Sequence, residues 1–402
     1  MRARTGNRPS HRPVSPLLRS VYLPRSMDAA AFAMTTYGIP LLVLATTGSA
    51  ALTGLAFAVA GALVDRHGTT RVFRLAATAR ATLVLAAALL LEAQTGGLGK
   101  TVTVMALAAG TGVLTEFSYV AAETAGGLAS RTAGARAHRV QSVLLGIDQT
   151  ATLAGPALAG LLLAHTGATG MLAATAAFSL LAAALASKPH TDQHATTPAA
   201  VRQGWKTGWQ TLRALPALGW LVAGLTLSNL AVGLLQAAAP VIVVQQFGHS
   251  SADVGLLWSA AAAASLIAIC LCRHVIDRCG LWPAGAVCAT ITASACLTLA
   301  LTHTYPAYLA LIALFMAGES GMTVVLRTLR SHLIPADVFG NTLAVTILLL
   351  LTPFPVAGLL VAAIPPSQLG HAITACAVLQ AIGLATAFTR LRTLPALRPS
   401  AA

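Results

Sequence analysis

The stretch GALVDRHGTTR at residues 61–71 ends a long apolar run, and a shorter version, VIDRCG at residues 275–280, ends another such run. Both copies contain Asp-Arg-x-Gly, and about half of the chain separates them. A polar motif that recurs at the same point of two apolar runs indicates an internal repeat. We therefore expect two related halves, with Asp65 and Asp277 at equivalent positions.

The composition indicates an integral membrane protein. Hydrophobic residues make up 56% of the chain and charged residues only 9%, and the mean hydropathy is +0.76. Soluble domains usually contain about 25% charged residues. Apolar runs of about 20 residues are the length that a helix needs to cross a bilayer.

Twelve apolar segments, six on each side of a polar interruption, predict an all-α membrane protein with two pseudo-symmetric six-helix bundles. Span 2 is short, since only about 17 residues separate Gly48 from Asp65, the lower limit for crossing a bilayer. The predicted spans, numbered 1 to 12, cover residues 21–46, 48–64, 73–91, 101–122, 140–164, 168–187, 218–244, 252–272, 283–302, 305–326, 340–363 and 369–389.

The positive charges predict the orientation of these spans. All of the 25 Lys and Arg residues except Lys100 fall in or around the termini and the loops on one face, and cytoplasmic loops carry such an excess. We therefore expect a multi-pass protein of the plasma membrane with both termini in the cytoplasm. The net charge of +14 is then a topological signal, and no nucleic-acid partner is expected.

The longest polar interruption separates the predicted bundles and contains a short amphipathic stretch. Trp205, Trp209 and Leu212 follow a helical spacing, which predicts a helix lying at the membrane interface. The predicted organisation is a basic cytoplasmic tail at residues 1–20, a bundle at 21–187, this linker at 188–217, a bundle at 218–389 and a cytoplasmic tail at 390–402.

Two motifs resemble signatures of the major facilitator superfamily, particularly its bacterial exporter-like branches. The first resembles the G-x-x-x-D-R-x-G loop between spans 2 and 3, and its second copy is degraded, with Arg273 in place of a glycine. The second, in span 5, resembles an antiporter signature, with Ala159 in place of one glycine. The resemblance implies gating loops at Gly61, Asp65, Arg66, Gly68 and Arg71 and at Asp277, Arg278 and Gly280, and an antiporter signature at Gly155, Pro156 and Gly160.

In this family, spans 1, 4, 7 and 10 line the central cavity, so polar residues there become candidates for cargo binding or proton coupling. Four acids lie inside predicted spans, where a charge is costly. Asp148 is interpreted as structural, for instance as a partner of Arg80. Helical spacing also aligns Glu116, Tyr119 and Glu123 on span 4, and Thr226, Asn229, Gly233 and Gln236 on span 7. The resulting candidates for the cavity or for proton coupling are Asp28, Glu116, Tyr119, Asn229, Gln236 and Glu319.

The arginine typical of span 4 in many proton-coupled drug antiporters is missing, and Thr69 and Thr70 stand where basic residues usually follow the loop signature. No Walker-type nucleotide motif occurs. The cysteines lie along apolar helices, the histidines lie in loops or at span ends, and no metal or cofactor is expected. The usage of 22 Arg to 3 Lys is typical of a GC-rich bacterial genome.

The main prediction is a monomeric secondary transporter, not an enzyme, that exports a small hydrophobic or cationic molecule in exchange for protons. Few ionisable groups lie in the spans, which favours hydrophobic cargo over phosphorylated sugars. The alternatives are a small-molecule importer and a transporter-like sensor or assembly partner that no longer transports. A membrane-embedded enzyme is disfavoured, because no pairing of nucleophile and base is visible in the sequence.

Overall fold

The structure is a computed structural model, and it describes residues 17–42, 68–93, 98–186, 201–249, 251–365 and 368–393. Within these ranges the chain is helical and contains no β-strand. Predicted span 2 and three residues of the first signature, Gly61, Asp65 and Arg66, lie outside the described residues.

Twelve α-helices follow one another in the described ranges, together with short π and 3₁₀ turns. Most correspond to one predicted span, but α4 contains spans 5 and 6, α5 lies in the linker, and α10 and α11 together form span 11. The helices are α1 (Leu23–Leu42), α2 (Thr69–Ala93), α3 (Leu98–Ala133), α4 (Ala137–Leu185), α5 (Val201–Ala214), α6 (Pro216–Val241), α7 (Ser251–Cys279), α8 (Leu281–Leu299), α9 (Tyr305–Leu333), α10 (Phe339–Leu351), α11 (Pro353–Ala363) and α12 (Leu369–Thr393).

Eight helical segments in the described part of the chain are long and apolar enough to cross a membrane. Large apolar side chains point outward along them, for example Leu89, Leu271 and Ile382. A soluble protein rarely exposes so much continuous apolar surface, so these faces fit contact with lipid. The molecule is a multi-pass membrane protein.

Close helix contacts hold the N-terminal half, residues 17–186, together. Helix α1 packs along α4, and α2 packs on both α3 and α4. A Cβ atom placed on Gly155 would lie 2.5 Å from the Cβ of Ala33, so a larger residue would push α1 and α4 apart. The backbone turns at Gly167, where φ is +68°, and this turn separates predicted spans 5 and 6 inside α4.

In the C-terminal half, residues 201–393, α9 packs against α7 and α8, while α6 packs against α11 and α12. The linker contains helix α5, which packs on α10. A Cβ on Gly208 would lie 2.6 Å from the carbonyl oxygen of Asn341. Trp205, Trp209 and Leu212 contact the apolar core, so this face of α5 packs on protein.

The glycine of each Asp-Arg-x-Gly copy has the same backbone role. Gly68 has φ +83° and Gly280 has φ +89°, and each residue directly precedes a helix, α2 or α8. Positive φ values suit glycine because it lacks a Cβ atom. One expectation was wrong in detail: Asp277 and Arg278 lie in the last turn of α7, because this helix continues beyond the predicted end of span 8.

Candidate functional site: ion pairs between the two halves

Four charged side chains form a buried cluster between the two halves. Arg25 of α1 holds Asp148 of α4 with two hydrogen bonds, Nε to Oδ1 at 2.7 Å and Nη2 to Oδ2 at 2.8 Å. Arg25 Nη2 also lies 3.1 Å from Glu123 Oε1 of α3. From the C-terminal half, Arg327 of α9 places its Nη2 3.1 Å from both Glu123 and Asp148. Arg327 therefore forms ion pairs with two carboxylates of the opposite half.

Tyr119 completes this cluster. The guanidinium of Arg25 lies 5.0 Å from the centre of its ring, and Arg327 Nη2 lies 3.4 Å from its hydroxyl oxygen. Of the three residues that helical spacing aligns on span 4, Tyr119 and Glu123 join the cluster between the two halves. Glu116 has no hydrogen bond or ion pair with any other residue that the structure describes.

A second contact between the halves lies near the first. Asp277, at the end of α7, accepts hydrogen bonds from Arg139 Nη2 at 2.7 Å and from His138 Nε2 at 2.9 Å, both near the start of α4. Burial lowers the pKa of His138 below its usual value, although the carboxylate of Asp277 opposes this shift. The imidazole is therefore neutral near pH 7 and donates one hydrogen bond.

The two contacts lie where α1 begins and where α3, α7 and α9 end. We call this the ion-pair end of the molecule. The charge bias of the sequence predicts that it faces the cytoplasm.

Asp28 lies inside the N-terminal half and is neutralised there. The Nη2 atom of Arg80, a side chain with no exposed surface, lies 2.6 Å from Asp28 Oδ1. The same guanidinium donates to Ser179 at 3.0 Å and to Ser118 at 3.3 Å. The suggested pairing of Arg80 with Asp148 is wrong, because Arg80 lies deep in α2 and reaches the start of α1.

Glu319 has a comparable place in the C-terminal half but no basic partner. It is buried in α9, accepts a hydrogen bond from the Ser228 hydroxyl, and accepts a second from Gln380 Nε2 at 3.3 Å. Gln380 also donates to Ser228. No Lys or Arg among the described residues forms an ion pair with Glu319.

The polar clusters around Asp28 and Glu319 are related by the internal repeat. Asp28 and Ser228, Ser118 and Glu319, and Ser179 and Gln380 are each separated by about 200 residues. In these two clusters, each half buries a carboxyl group among equivalent helices. Only the cluster in the N-terminal half contains an arginine that pairs with it. The sequence alone did not reveal this difference, because Arg80 was counted among the charges around a loop.

Of the candidate residues on predicted span 7, Asn229 has a polar partner and Gln236 is exposed to the surroundings. Asn229 donates a hydrogen bond to the carbonyl oxygen of Leu350 at 2.8 Å, next to the break between α10 and α11. Gln236 is exposed. Asn229 therefore joins α6 to a helix break, and Gln236 stays a predicted cavity residue.

The remaining predicted site residues lie at the ends or along the faces of helices. Arg71 is exposed on the first turn of α2, and Arg278 is exposed on the last turn of α7. Gly155 provides the close contact with α1, and Pro156 and Gly160 follow it inside α4. Among the described residues, no group of three or more His, Cys, Asp or Glu side chains could hold a metal ion.

Sequence reasoning missed three residues of the ion-pair end. Arg25, Arg327 and Arg330 were counted as loop or tail charges, but all three side chains are buried. Helical spacing carried a usable signal, since Arg327 and Arg330 lie one turn apart on the helix that also contains Glu319. An arginine so close to predicted apolar sequence indicates a buried ion pair as well as a topological charge.

The chain belongs to the Major Facilitator Superfamily, whose family model matches residues 20–350. Its fold is similar to that of several solved transporters. A bacterial homologue of the iron transporter ferroportin, in an outward-facing state, shares 14% identity with a TM-score of 0.73 over 95% of this chain and 100% of that one. The human organic anion transporter MFSD10 (TETRAN) shares 14% identity with a TM-score of 0.72 over 94% and 100%.

The transporter FucP, in its outward conformation, shares 17% identity with a TM-score of 0.66, over 94% of this chain and 98% of that one. No curated protein has a detectably similar sequence. At these identities the similarity concerns the fold. Together with the family, it defines a membrane transporter of small molecules, a class that is not enzymatic in general.

Proposed function

We propose that the protein is a proton-coupled exporter that moves a small hydrophobic or cationic molecule out of a bacterial cell by alternating access. It acts as a monomer in the plasma membrane, with both termini and the ion-pair end in the cytoplasm. The two bundles, residues 21–187 and 218–389, rock against each other around a central site.

The observation that carries this proposal is the bridge that Arg327 makes to Glu123 and Asp148 across the two halves. Alternating access requires contacts that close one end of the pathway and then open. Ion pairs suit this task because water can solvate the separated charges once the interface opens, whereas in the closed state each charge has a partner. The bridge therefore acts as a cytoplasmic gate.

The repeated signature supports the same gating role. Gly68 and Gly280 set equivalent turns, and Asp277 of the second copy reaches across to His138 and Arg139. In the proposed cycle, this contact breaks when the cytoplasmic end opens. Asp65, the equivalent residue of the first copy, is proposed to act in the same way.

Glu319 is the preferred site of proton coupling. Its carboxyl group is buried and has hydrogen-bond donors, but no cation, among the described residues. An ionised carboxylate without a counter-charge is costly inside a membrane protein, so a proton can neutralise it in one state and leave in another. Asp28 is less suited to this role because Arg80 already compensates its charge.

The proposed cargo and the proposed direction of transport are inferred from the sequence. The structural relatives include an iron transporter and an organic anion transporter, so the fold is compatible with different cargo. Apolar side chains and few charges in the predicted spans favour a hydrophobic or cationic molecule. An importer with the same gate is the alternative.

The test is transport by the purified protein in proteoliposomes. A fluorescent lipophilic cation should move against its gradient when a pH difference is imposed, and collapse of that difference should stop the movement. Accumulation in the same direction as proton movement would identify a proton symporter, as expected of an importer. Saturable binding of the dye without flux would instead support the non-transporting alternative.

A further inference from the structure

The ion-pair end contains more buried positive than negative charge. Arg25, Arg327 and Arg330 are buried there, and the carboxylates that face them are Glu123 and Asp148. Among the residues that the structure describes, three guanidinium groups thus meet two carboxylates. A buried charge without a counter-charge is strongly unfavourable.

The excess charge is concentrated at one small cavity between the halves. Residues of both halves line it, including Glu123 and Gln141 from the N-terminal half and Arg327, Arg330 and Phe339 from the C-terminal half. Gln141 is held in place by hydrogen bonds to Ser130 Oγ at 2.6 Å and to the carbonyl oxygen of Gly126 at 3.3 Å.

Guanidinium donors at this cavity lack acceptors. Nε and Nη2 of Arg330, and Nη1 of Arg327, are buried and have no hydrogen-bond partner in the described part of the structure. Arg330 is only 4% exposed. Its unused Nε and Nη2 atoms are two donors of one planar group, which can hold an oxyanion in a bidentate manner or a halide ion between them.

We propose that this cavity binds a single monovalent anionic group, which Arg330 and Arg327 hold between the two halves. The group is either a small free anion, such as chloride or formate, or the carboxylate of a larger molecule. Its binding balances the charge of the cluster and stabilises the closed ion-pair end. This site is distinct from the proposed proton site at Glu319, and it does not require that the protein export a cation.

The test is thermal unfolding of the purified full-length protein in detergent. Sodium chloride, formate or benzoate replaces sodium methanesulfonate, which is not a carboxylate, at constant ionic strength. A ligand that binds only the folded state raises the Tm in a saturable manner. We expect such a rise for the wild type with at least one of these anions. Chloride or formate would identify a free ion, and benzoate alone would identify the carboxylate of a larger molecule.

Two substitutions assign the effect to the cavity. Arg330→Gln should weaken the apparent anion affinity by about tenfold to a hundredfold, the usual contribution of a hydrogen bond to a charged group. Arg390→Gln removes an exposed arginine of the same half, on helix α12, and should leave the affinity unchanged. Arg330→Lys keeps the positive charge but loses the planar guanidinium group, so it should show an intermediate loss of anion affinity. This variant tests the proposal if Arg330→Gln does not fold.

Three results would overturn the proposal. They are the absence of a saturable rise in Tm with all three anions, an undiminished rise in the Arg330 variants, and an equal loss of affinity in Arg390→Gln. Transport of the fluorescent cation is measured separately, so failure of the exporter proposal is distinguishable from failure of this one.

Discussion

Arg327 in the C-terminal half lies 3.1 Å from Asp148 in the N-terminal half, and both residues come from segments that the sequence assigned to other roles. Asp148 was expected to pair inside its own half, and Arg327 was counted as a cytoplasmic charge. Their ion pair joins residues separated by nearly half of the chain, which supports the proposal that two bundles rock against each other.

The first prediction concerns Arg327→Gln. Removal of one partner from a buried ion pair costs about 3 to 5 kcal/mol. Because Arg25 still compensates Asp148, we expect the lower end of this range, together with faster labelling of cysteines placed at the ion-pair end. Arg390→Gln, which removes an exposed arginine of the same half, is the matched control and should leave both quantities close to those of the wild type.

A double-mutant cycle separates this pairing from a general loss of charge. Asp148→Asn in the Arg327→Gln background should cost less than Asp148→Asn alone, because the two changes remove one shared interaction. Additive losses of Tm would show that Arg327 and Asp148 do not interact.

The second prediction concerns Asp28, whose ion pair with Arg80 lies within one half. Asp28→Asn leaves a fully buried guanidinium without a counter-charge, so we expect a loss of about 3 to 5 kcal/mol. Asp28→Asn combined with Arg80→Met should recover part of that loss. In this double variant, transport per folded molecule should have the same pH dependence as in the wild type. A changed pH dependence would show that Asp28 takes part in proton coupling.

The third prediction concerns the glycine turn of the second signature. Gly280 has φ +89° and ψ 175°, a region that is nearly restricted to glycine, so Gly280→Ala should cost about 1 to 3 kcal/mol. A Cβ atom added to Gly255, on helix α7, would meet open space. Gly255→Ala should therefore stabilise the protein by about 0.5 to 1 kcal/mol. Thermal unfolding should show a lower Tm for Gly280→Ala and a higher Tm for Gly255→Ala. Equal changes in Tm would contradict the role assigned to this turn.

Patterns along the chain predicted the family and the positions of most helices, because span length and loop charge are local properties. Partners across the fold were harder to predict. Helical spacing places Arg327 and Arg330 on the helix of Glu319, and Arg80 lies inside predicted span 3, but no local pattern identifies the partner of any of the three. Only the packing of α1 and α2 against α4, and of α9 against α3 and α4, shows which carboxylate each arginine meets.

The fourth prediction concerns Glu319→Gln. Glutamine keeps the size of the side chain and can still accept hydrogen bonds from Ser228 and Gln380, but it cannot release a proton. The variant should exchange cargo across a membrane yet fail to concentrate it when a pH difference is imposed. Gln380→Leu is the companion variant: it removes a neighbour but keeps the carboxyl group, so coupling should persist with an altered pH profile. Full accumulation by Glu319→Gln would exclude Glu319 as the coupling site.

The last prediction concerns Glu116, the other carboxyl group inside a predicted span that has no ion pair among the described residues. It lies on the same helix as Tyr119 and Glu123, but these two residues are held by Arg25 and Arg327 at the ion-pair end. Glu116 is therefore separate from the gate and remains a candidate for the central cavity. Glu116→Gln should weaken the binding of a cationic cargo, because a carboxylate that attracts the cation is lost. It should leave pH-driven accumulation intact if Glu319 carries the proton.

Binding and accumulation are measured on the same Glu116→Gln preparation, beside Glu319→Gln. Weaker binding with preserved coupling assigns Glu116 to the cargo. The opposite result, with normal binding and no accumulation, transfers proton coupling to Glu116. Since glutamine preserves shape and removes only the ionisable group, neither result can be attributed to altered packing once both variants show the wild-type Tm.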